Sequence, residues 1–504
     1  MSDSAKKILI YSPNWVGDAV FSLPAVTSLR QAFPEAHISV LAKPWVSDVF
    51  RENPDINEHI ICDEQFNSIF GKLELAKILK EKSFDIVYLF SNSFGTAFTV
   101  WRAGIGERTG YNLNSRGMFL TQSIPLTGKD KNRSHSAAYY LNLIEAAGIT
   151  ETIAPPWIYL TLKERMKARQ TFEGIKRPVI GITAGAYGQG AGQWPLERFT
   201  AIAQKFVKEL NGSVMIFGWK SELDMANRII KTFDPAEARA RVISLVGKTT
   251  LRELAALLSE CDVFLTNDSA PLYIAQAVGV PTVALFGCPD PSSRLFSKAA
   301  FPVTADSDYN SNTDRILAIT VNDVFATVQN QITKNRAIFL DKDGTLIEDM
   351  NYLNSFDDLH IFPNAKKHLT QLKDLGFKLI GITNQSGIDR GIVDEQFVRD
   401  SNQYLQQELG IDGFYYCPHH PDRNCSCRKP QPAMLYDARI DHNIDLKASY
   451  FIGDKESDIL IAKNTGATGV LISPTTPEKT GASHVAKNLE TAVDWIMKRE
   501  KVRL

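Results

Sequence analysis

Short runs of β-branched and aliphatic residues alternate with segments of helical period along nearly the whole chain, and that rhythm leaves few folds open. KILIYS, PAVTSLRQAF, HISVLAK and FDIVYLF follow one another between Lys6 and Phe90. The rhythm restarts at RPVIGITAG and runs through GSVMIFG, RVISLVG, DVFLTND and PTVALFG, with LRELAALLSE and APLYIAQAVG as helices between strands. It restarts once more at RAIFLDKDGT and continues with FKLIGITNQSG and ASYFIGDKESD. This is the β-α-β alternation of parallel sheets. The expected fold is α/β: two Rossmann-like lobes in tandem at 1–172 and 173–333, joined near KERMKARQTFEGIKR, then a third such domain at 336–504. The polar stretch DSDYNSNTDR reads as a loop, followed by a closing helix at about 321–332, and a last helix is expected near 489–501.

A chain of 504 residues exceeds the roughly 100–200 residues that one core usually serves, which agrees with several lobes. Its 44 % hydrophobic and 22 % charged residues are ordinary for a globular protein. The net charge of -1 gives no general pull toward nucleic acid or an anionic membrane, so any phosphate binding has to be local. No apolar run reaches the roughly 20 residues that span a bilayer, and MSDSAKKILIYSPNWVGD enters a strand pattern without a cleavage site. The expected setting is the cytoplasm. Six cysteines are too few for a disulfide scaffold, and three of them, Cys417, Cys425 and Cys427, crowd into one short stretch, which points to a metal.

Asp341 and Asp343 follow an apolar strand in FLDKDGTL, at the strand end where open α/β sheets bind ligands. One residue apart, both acids reach the same face of the loop, and Gly344 permits the turn. Phosphoryl transfer needs such a pair: one carboxylate attacks phosphorus, the other protonates the leaving oxygen, and a divalent cation offsets their repulsion. Acidic turn residues after a strand are common, but three further pieces join these. Thr383 and Asn384 in ITNQSG follow the next expected strand, with groups able to hold phosphoryl oxygens. Arg428 and Lys429 in CRKP supply a planar fork and a point charge. Asp454 in IGDKESD stands at another strand end, with Asp458 one helical turn later. In CPHHPDRNCSCRKP, Cys417, His419, Cys425 and Cys427 would fill a tetrahedral zinc and leave no place for water, a structural site clamping the loop that carries Arg428 and Lys429. His420 is the alternative histidine, and free packed thiols are the alternative to a metal.

By these motifs residues 336–474 resemble the haloacid dehalogenase superfamily of phosphatases. Within it, DKDGTLIEDMNY, TNQSGIDRG, YYCPHHP, CRKP and SYFIGDKESD look like the D-glycero-D-manno-heptose 1,7-bisphosphate 7-phosphatases. Histidinol-phosphate phosphatases share most of these motifs. The resemblance implies Asp341 as nucleophile and Asp343 as general acid and then base. It places magnesium on Asp341, the Asp343 carbonyl and Asp454. Substrate contacts would come from Asp349, Met350, Asn351, Tyr352, Thr383, Asn384, Gln385, Ser386, Arg428, Lys429 and Lys455.

In the first two lobes, Gly17 and Asp18 of SPNWVGDAVF precede a helix, where Asp18 serves either as a cap or as a base facing a cleft. ITAGAYGQGAGQWP is glycine-rich after a strand, and Asp268 and Ser269 in TNDSAP lead from a strand into a helix. Both are either turns or cradles for a pyrophosphate. Together with GERTGY and the Trp194–Pro195 pair, these features resemble the lipopolysaccharide heptosyltransferases, two-lobed GT-B enzymes, and among them heptosyltransferase II, over about residues 6–333. The resemblance implies Asp18 as the base on an acceptor hydroxyl, ADP-heptose as donor on Asp268 and Ser269, and inverting transfer without a metal. Asp224 or Glu222 would meet a ribose hydroxyl. Three positions depart from the family pattern: Gly192 replaces a lysine, for which loop N–H groups, Lys220 or Lys248 could compensate, and Tyr273 replaces a histidine, with Ala270 for a glycine. The joint reading is a bifunctional enzyme of lipopolysaccharide inner-core assembly, meeting a lipid A-core acceptor at the inner membrane surface. The rival keeps the phosphatase and makes residues 1–333 a binding module without transfer.

Overall fold

The structure is a computed structural model that describes residues 6–126, 136–150, 154–185, 193–305, 311–332, 335–475 and 480–503. The chain divides into two compact units, Met1–Gln329 and Asn330–Leu504.

The first unit holds two parallel sheets. One comprises β1 (Lys7–Tyr11), β2 (His37–Ala42), β3 (Glu58–Ile61), β4 (Ile86–Leu89), β5 (Glu107–Tyr111) and β6 (Gln122–Ile124), in the order β3-β2-β1-β4-β5-β6. The other comprises β7 (Val179–Thr183), β8 (Ser213–Ile216), β9 (Val242–Ser244), β10 (Val263–Asn267), β11 (Thr282–Leu285) and β12 (Ala300–Val303), in the order β12-β11-β10-β7-β8-β9. Central strands such as β1 and β7 are buried on both faces, which is why they read as unbroken apolar runs. Strand order reverses between β1 and β4 and between β7 and β10, and the crevice at the carboxyl ends there is where such sheets take ligands. Asp18 follows β1, while Asp268 and Ser269 follow β10.

A single apolar cluster runs from one lobe into the other, including Phe21 and Val26 of helix Val16–Ala32 and Leu272 and Tyr273 of helix Ala270–Ala277. The charged stretch expected at the join forms helix Leu162–Thr171, begun by a capping box in which Thr161 and Glu164 satisfy each other's backbone N–H groups. The loop expected over DSDYNSNTDR is corrected in its second half. Residues 306–310 lie outside the described residues, but Asn312–Ala318 is a helix, started by the Ser311 hydroxyl accepting from the Asp314 N–H at 3.1 Å. The closing helix spans Val321–Asn330.

The second unit repeats the plan with β13 (Arg336–Leu340), β14 (Phe377–Asn384), β15 (Gly413–Cys417), β16 (Tyr450–Gly453), β17 (Thr468–Ile472) and β18 (His484–Ala486), in the order β15-β14-β13-β16-β17-β18. All its pairs are parallel. Its own core packs Leu369 and Leu372 of helix Ala365–Asp374 and Val493 and Ile496 of helix Leu489–Arg503 around Ile338 and Leu340. The order reverses between β13 and β16, the strands that lead to Asp341 and Asp454.

Candidate active sites

In the second unit four segments converge after β13, β14, β15 and β16. Asp341 is buried, and its Oδ1 accepts from the Lys342 N–H at 2.8 Å and pairs with Lys429 Nζ at 2.7 Å. Lys429 also reaches Asp458 Oδ1 at 2.7 Å and donates to the Ile382 carbonyl at 3.1 Å. Its backbone is pinned by Asn384, whose Oδ1 accepts from the Lys429 N–H at 3.0 Å. Asp343 turns the other way: its Oδ2 accepts from Gln385 Nε2 at 2.9 Å and from Thr383 Oγ1 at 3.3 Å. Burial raises the Asp343 pKa, Lys342 opposes this, and the Asp341 charge raises it further, so this acid is biased toward holding a proton. The two expected acids therefore sit in different surroundings, one paired to a cation and one with its pKa raised.

Asp341, Asp454 and Asp458 each present an oxygen within 4.8 Å of the others. Asp458 is already engaged, by Lys429 and by the Lys455 N–H at 3.0 Å. Asp454 Oδ1 is buried without a hydrogen-bond partner among the described residues, and burial followed by the Asp341 charge pushes this carboxyl up to about 6. An orphaned carboxylate oxygen facing a second carboxylate fits a hard, oxygen-seeking divalent cation. Gly344 is needed here: its φ is +85°, and a Cβ would lie 2.4 Å from Asp454 Oδ2.

Asp349 pairs with Lys455 at 3.1 Å, while Met350, Asn351 and Tyr352 stand exposed on the rim. Ser386 is half-buried in the loop after β14. Arg428 donates to the His419 carbonyl at 3.2 Å and makes no contact with the carboxylates among the described residues.

The sulfur atoms of Cys417, Cys425 and Cys427 and Nδ1 of His419 lie 3.3 to 3.6 Å apart along the four closest pairs. A tetrahedral zinc with Zn–S of about 2.3 Å implies sulfur–sulfur edges of about 3.8 Å, so the set fits that ion. The neighbouring His420 is directed elsewhere, its Nδ1 accepting from the Asp422 N–H at 3.3 Å. Asp389, which the motif reading passed over, fastens this loop to the one after β14. It accepts from Arg423 Nε at 3.0 Å and from the His420 N–H at 2.9 Å.

In the first unit a cleft opens at the strand ends, lined by Val16 of one lobe and by Gly185, Trp219, Glu222, Thr250 and Ser269, among others, of the other. Asp18 is half-buried in the first turn of helix Val16–Ala32. Ser269 lines the cleft as the residue before helix Ala270–Ala277. Asp268 is committed to protein partners: Oδ1 accepts from the Tyr273 hydroxyl at 2.6 Å, and Oδ2 is in close contact with Arg294. Glu222, not Asp224, reaches the cleft. Its Oε2 accepts from the Trp219 N–H at 2.7 Å and burial raises its pKa, whereas Asp224 is exposed outside the lining. Lys220 and Lys248 are exposed and outside the lining, and Gly192 lies outside the described residues. Thr250 was not singled out, although its capping box with Glu253, legible in TTLRE, marks the start of helix Leu251–Glu260, whose Leu251 and Leu254 line the cleft with it.

Two reversed sheets sharing an interlobe cleft, followed by a reversed sheet with paired aspartates, define a two-lobed glycosyltransferase joined to an aspartate-based phosphatase. Residues 72–308 match the model of glycosyltransferase family 9 (heptosyltransferase), and residues 426–492 match a HAD-hydrolase-like model. The D-glycero-beta-D-manno-heptose-1,7-bisphosphate 7-phosphatase of Helicobacter pylori strain J99 is 41 % identical over 172 residues, 33 % of this chain and 99 % of the relative. Lipopolysaccharide heptosyltransferase 2 of Escherichia coli K12 is 29 % identical over 302 residues, 58 % of this chain and 84 % of the relative. The solved structure of the E. coli ADP-heptose lipopolysaccharide heptosyltransferase II covers 65 % of this chain and 98 % of its own, with TM-score 0.58 and 26 % identity. The chain belongs to the D-glycero-beta-D-manno-heptose-1,7-bisphosphate 7-phosphatase family through its second unit, and carries ahead of it a glycosyltransferase family 9 domain.

Proposed function

We propose that the chain is a bifunctional enzyme of lipopolysaccharide inner-core assembly. The second unit hydrolyses the 7-phosphate of D-glycero-D-manno-heptose 1,7-bisphosphate, and the first transfers heptose from ADP-heptose to a heptosyl-Kdo-lipid A acceptor. We place the transferase lobes at 1–172 and 173–333 and the phosphatase at 336–504, working in the cytoplasm at the inner membrane surface where such an acceptor is displayed. No helix among the described residues is long and apolar enough to cross a membrane.

The observation that carries the phosphatase reading is the contrast between Asp341, paired with Lys429, and Asp343, held under Gln385 and Thr383 with its pKa raised. An Asp341 oxygen attacks phosphorus as the bond from phosphorus to the sugar oxygen breaks, and that oxygen takes the Asp343 proton. Asp343 then removes a proton from the water that attacks the aspartyl-phosphate, releasing inorganic phosphate and restoring Asp341. Magnesium, when bound by Asp341, Asp454 and the Asp343 carbonyl, would offset the repulsion between carboxylate and phosphate. Lys429 and Arg428 hold phosphate oxygens, Asn384 and Ser386 line the phosphate loop, and Asp349 to Tyr352 with Lys455 face the sugar. Cys417, His419, Cys425 and Cys427 keep the Arg428 loop in place around a structural zinc.

For transfer, Asp18 takes the proton of the acceptor hydroxyl as the new bond to the anomeric carbon forms and ADP leaves. Ser269 and the first N–H groups of helix Ala270–Ala277 receive the donor diphosphate. Its place in the cleft favours Glu222 over Asp224 for the ribose.

Two assays on the purified chain test the reading. Heptose 1,7-bisphosphate is expected to be hydrolysed far faster than histidinol phosphate, with turnover abolished in Asp341→Asn; full turnover by that variant would sink the covalent mechanism. With ADP-heptose and a heptosyl-Kdo-lipid A acceptor, ADP release is expected to disappear in Asp18→Ala. Donor binding with no release by the wild type would instead support a module without transfer.

A further inference from the structure

Tyr273 stands where the two lobes of the first unit meet. It lies on helix Ala270–Ala277, whose first residues line the cleft. Its ring packs 4.7 Å, centroid to centroid, from Phe21 on helix Val16–Ala32 of the other lobe. A Cβ on Gly17 would lie 2.8 Å from Tyr273 Cδ2, so the ring rests on the backbone one residue before Asp18.

The other end of the ring is fixed as firmly. Its hydroxyl donates to Asp268 Oδ1 at 2.6 Å, and Asp268 is paired with Arg294. Arg294 belongs to a loop fastened back to Tyr273's own helix: Gln276 Nε2 donates to the Arg294 carbonyl at 3.1 Å, and Gln276 Oε1 accepts from the Phe296 N–H at 2.9 Å. Phe296 in turn packs edge-on against Phe21 at 5.9 Å. Burial, then the Asp18 charge, then Cys288 push the pKa of the Tyr273 hydroxyl well up, in keeping with its place as hydrogen-bond donor to Asp268.

We propose that Tyr273 is a positioning residue for transfer, its ring bearing on Gly17 to set where Asp18 stands against the donor cleft, with Asp268 and Arg294 holding the ring in place. This rests on the reading of Asp18 as the acceptor base. The ring joins the helix that presents the base to the helix that receives the diphosphate, so a shift of the ring moves one reacting group relative to the other. Gly17 follows from the same contact, because any side chain there would displace the ring.

The test compares the full-length chain with Tyr273→Phe, Tyr273→Ala and Gly17→Ala. Steady-state transfer from ADP-heptose to the heptosyl-Kdo-lipid A acceptor is measured beside ADP affinity by calorimetry. Tyr273→Ala and Gly17→Ala are expected to lower kcat roughly tenfold or more while ADP affinity stays within about twofold, since an ångström of misplacement can cost up to about 100-fold in rate. Tyr273→Phe keeps the ring on Gly17 and is expected to recover most of the loss. Wild-type kcat in Tyr273→Ala and Gly17→Ala, or a loss of ADP affinity as large as the loss of rate, overturns the inference. If Tyr273→Ala does not fold, Gly17→Ala and Tyr273→Phe carry the comparison. A wild-type chain that releases no ADP overturns the transferase reading and this inference with it, whereas active wild type with unaffected variants overturns the inference alone.

Discussion

Lys429 is buried, with an ammonium shared by Asp341 and Asp458. Burial lowers its pKa, but those two carboxylates outweigh burial and raise it overall. Replacing it with methionine leaves Asp458 as a buried carboxylate without its counter-charge and removes the cation beside the attacking acid. Lys429→Met is therefore expected to lower phosphatase kcat/KM by roughly 100- to 1,000-fold, and to destabilise the second unit by about 3–5 kcal/mol in urea unfolding. Adding Asp458→Asn removes the stranded charge, so the double variant should regain stability and no rate. Recovery of rate in the double variant would show that Lys429 acts only as a structural counter-ion. Lys429 was legible in CRKP as a point charge beside the planar fork of Arg428, following the paired aspartates and ITNQSG in motif order. Choosing between His419 and His420 was not, since adjacent residues of one type differ only in ring direction, which the fold decides. Asp268 was legible as a strand-end acid, but its partners Tyr273 and Arg294 come from a helix and a distant loop that no motif connects.

At the scale of elements, most central strands showed plainly because burial on both faces leaves continuous apolar runs, although β5 and β17 were not singled out. The edge strands β3, β6 and β12 did not: each is short and carries exposed positions, so its pattern merges with the loops around it. Helix Asn312–Ala318 was missed for a related reason, its first residues being the polar ones that cap helices and also fill loops. The charged stretch at the join was read as a connection, whereas the structure makes it the anchor of a tertiary staple. Buried Arg252 donates to both Glu164 oxygens, at 2.8 and 2.7 Å, and to the carbonyls of Tyr159 at 2.7 Å and Arg51 at 3.0 Å. One side chain thus ties the first lobe, the connection and the second lobe together. Burial would raise the Glu164 pKa, but the Arg252 hydrogen bonds and the Thr161 N–H hold it below its usual value. A depressed carboxylate contributes stability above its unfolded pKa of about 4.3, and that contribution is lost as the pH falls through the lower folded value. The difference in unfolding midpoint of the first unit between wild type and Glu164→Gln is therefore expected to be largest at neutral pH and to shrink below about pH 4.3. A difference that stays constant from neutral pH into that acid range would show that the ion pair does not govern it.

For the whole molecule, each unit has its own core and its own site at its own strand-order reversal. Among the described residues, one apolar cluster, from Ile338 to Met497, lies wholly within the second unit, and two others, spanning Ile8 to Phe296, lie wholly within the first. At 175 residues, the unit Asn330–Leu504 exceeds the roughly 50–100 residues at which single domains already fold alone. Chemistry likewise gives the two sites no direct hand-over. Removing the 7-phosphate from a heptose bisphosphate leaves a sugar 1-phosphate, and that species has to gain a nucleotidyl group before it resembles a nucleotide-sugar donor. The junction is therefore expected to serve co-production of the two activities, with neither site requiring the other. Expressed as separate polypeptides, 1–332 and 333–504 should each keep kcat/KM within about threefold of the intact chain, the scatter expected of a domain that keeps its own core. Mixing the halves should return neither more nor less activity than their sum. A phosphatase half that folds, judged by its thermal transition, yet loses most of its rate until 1–332 is added would show instead that the first unit completes the second unit's site.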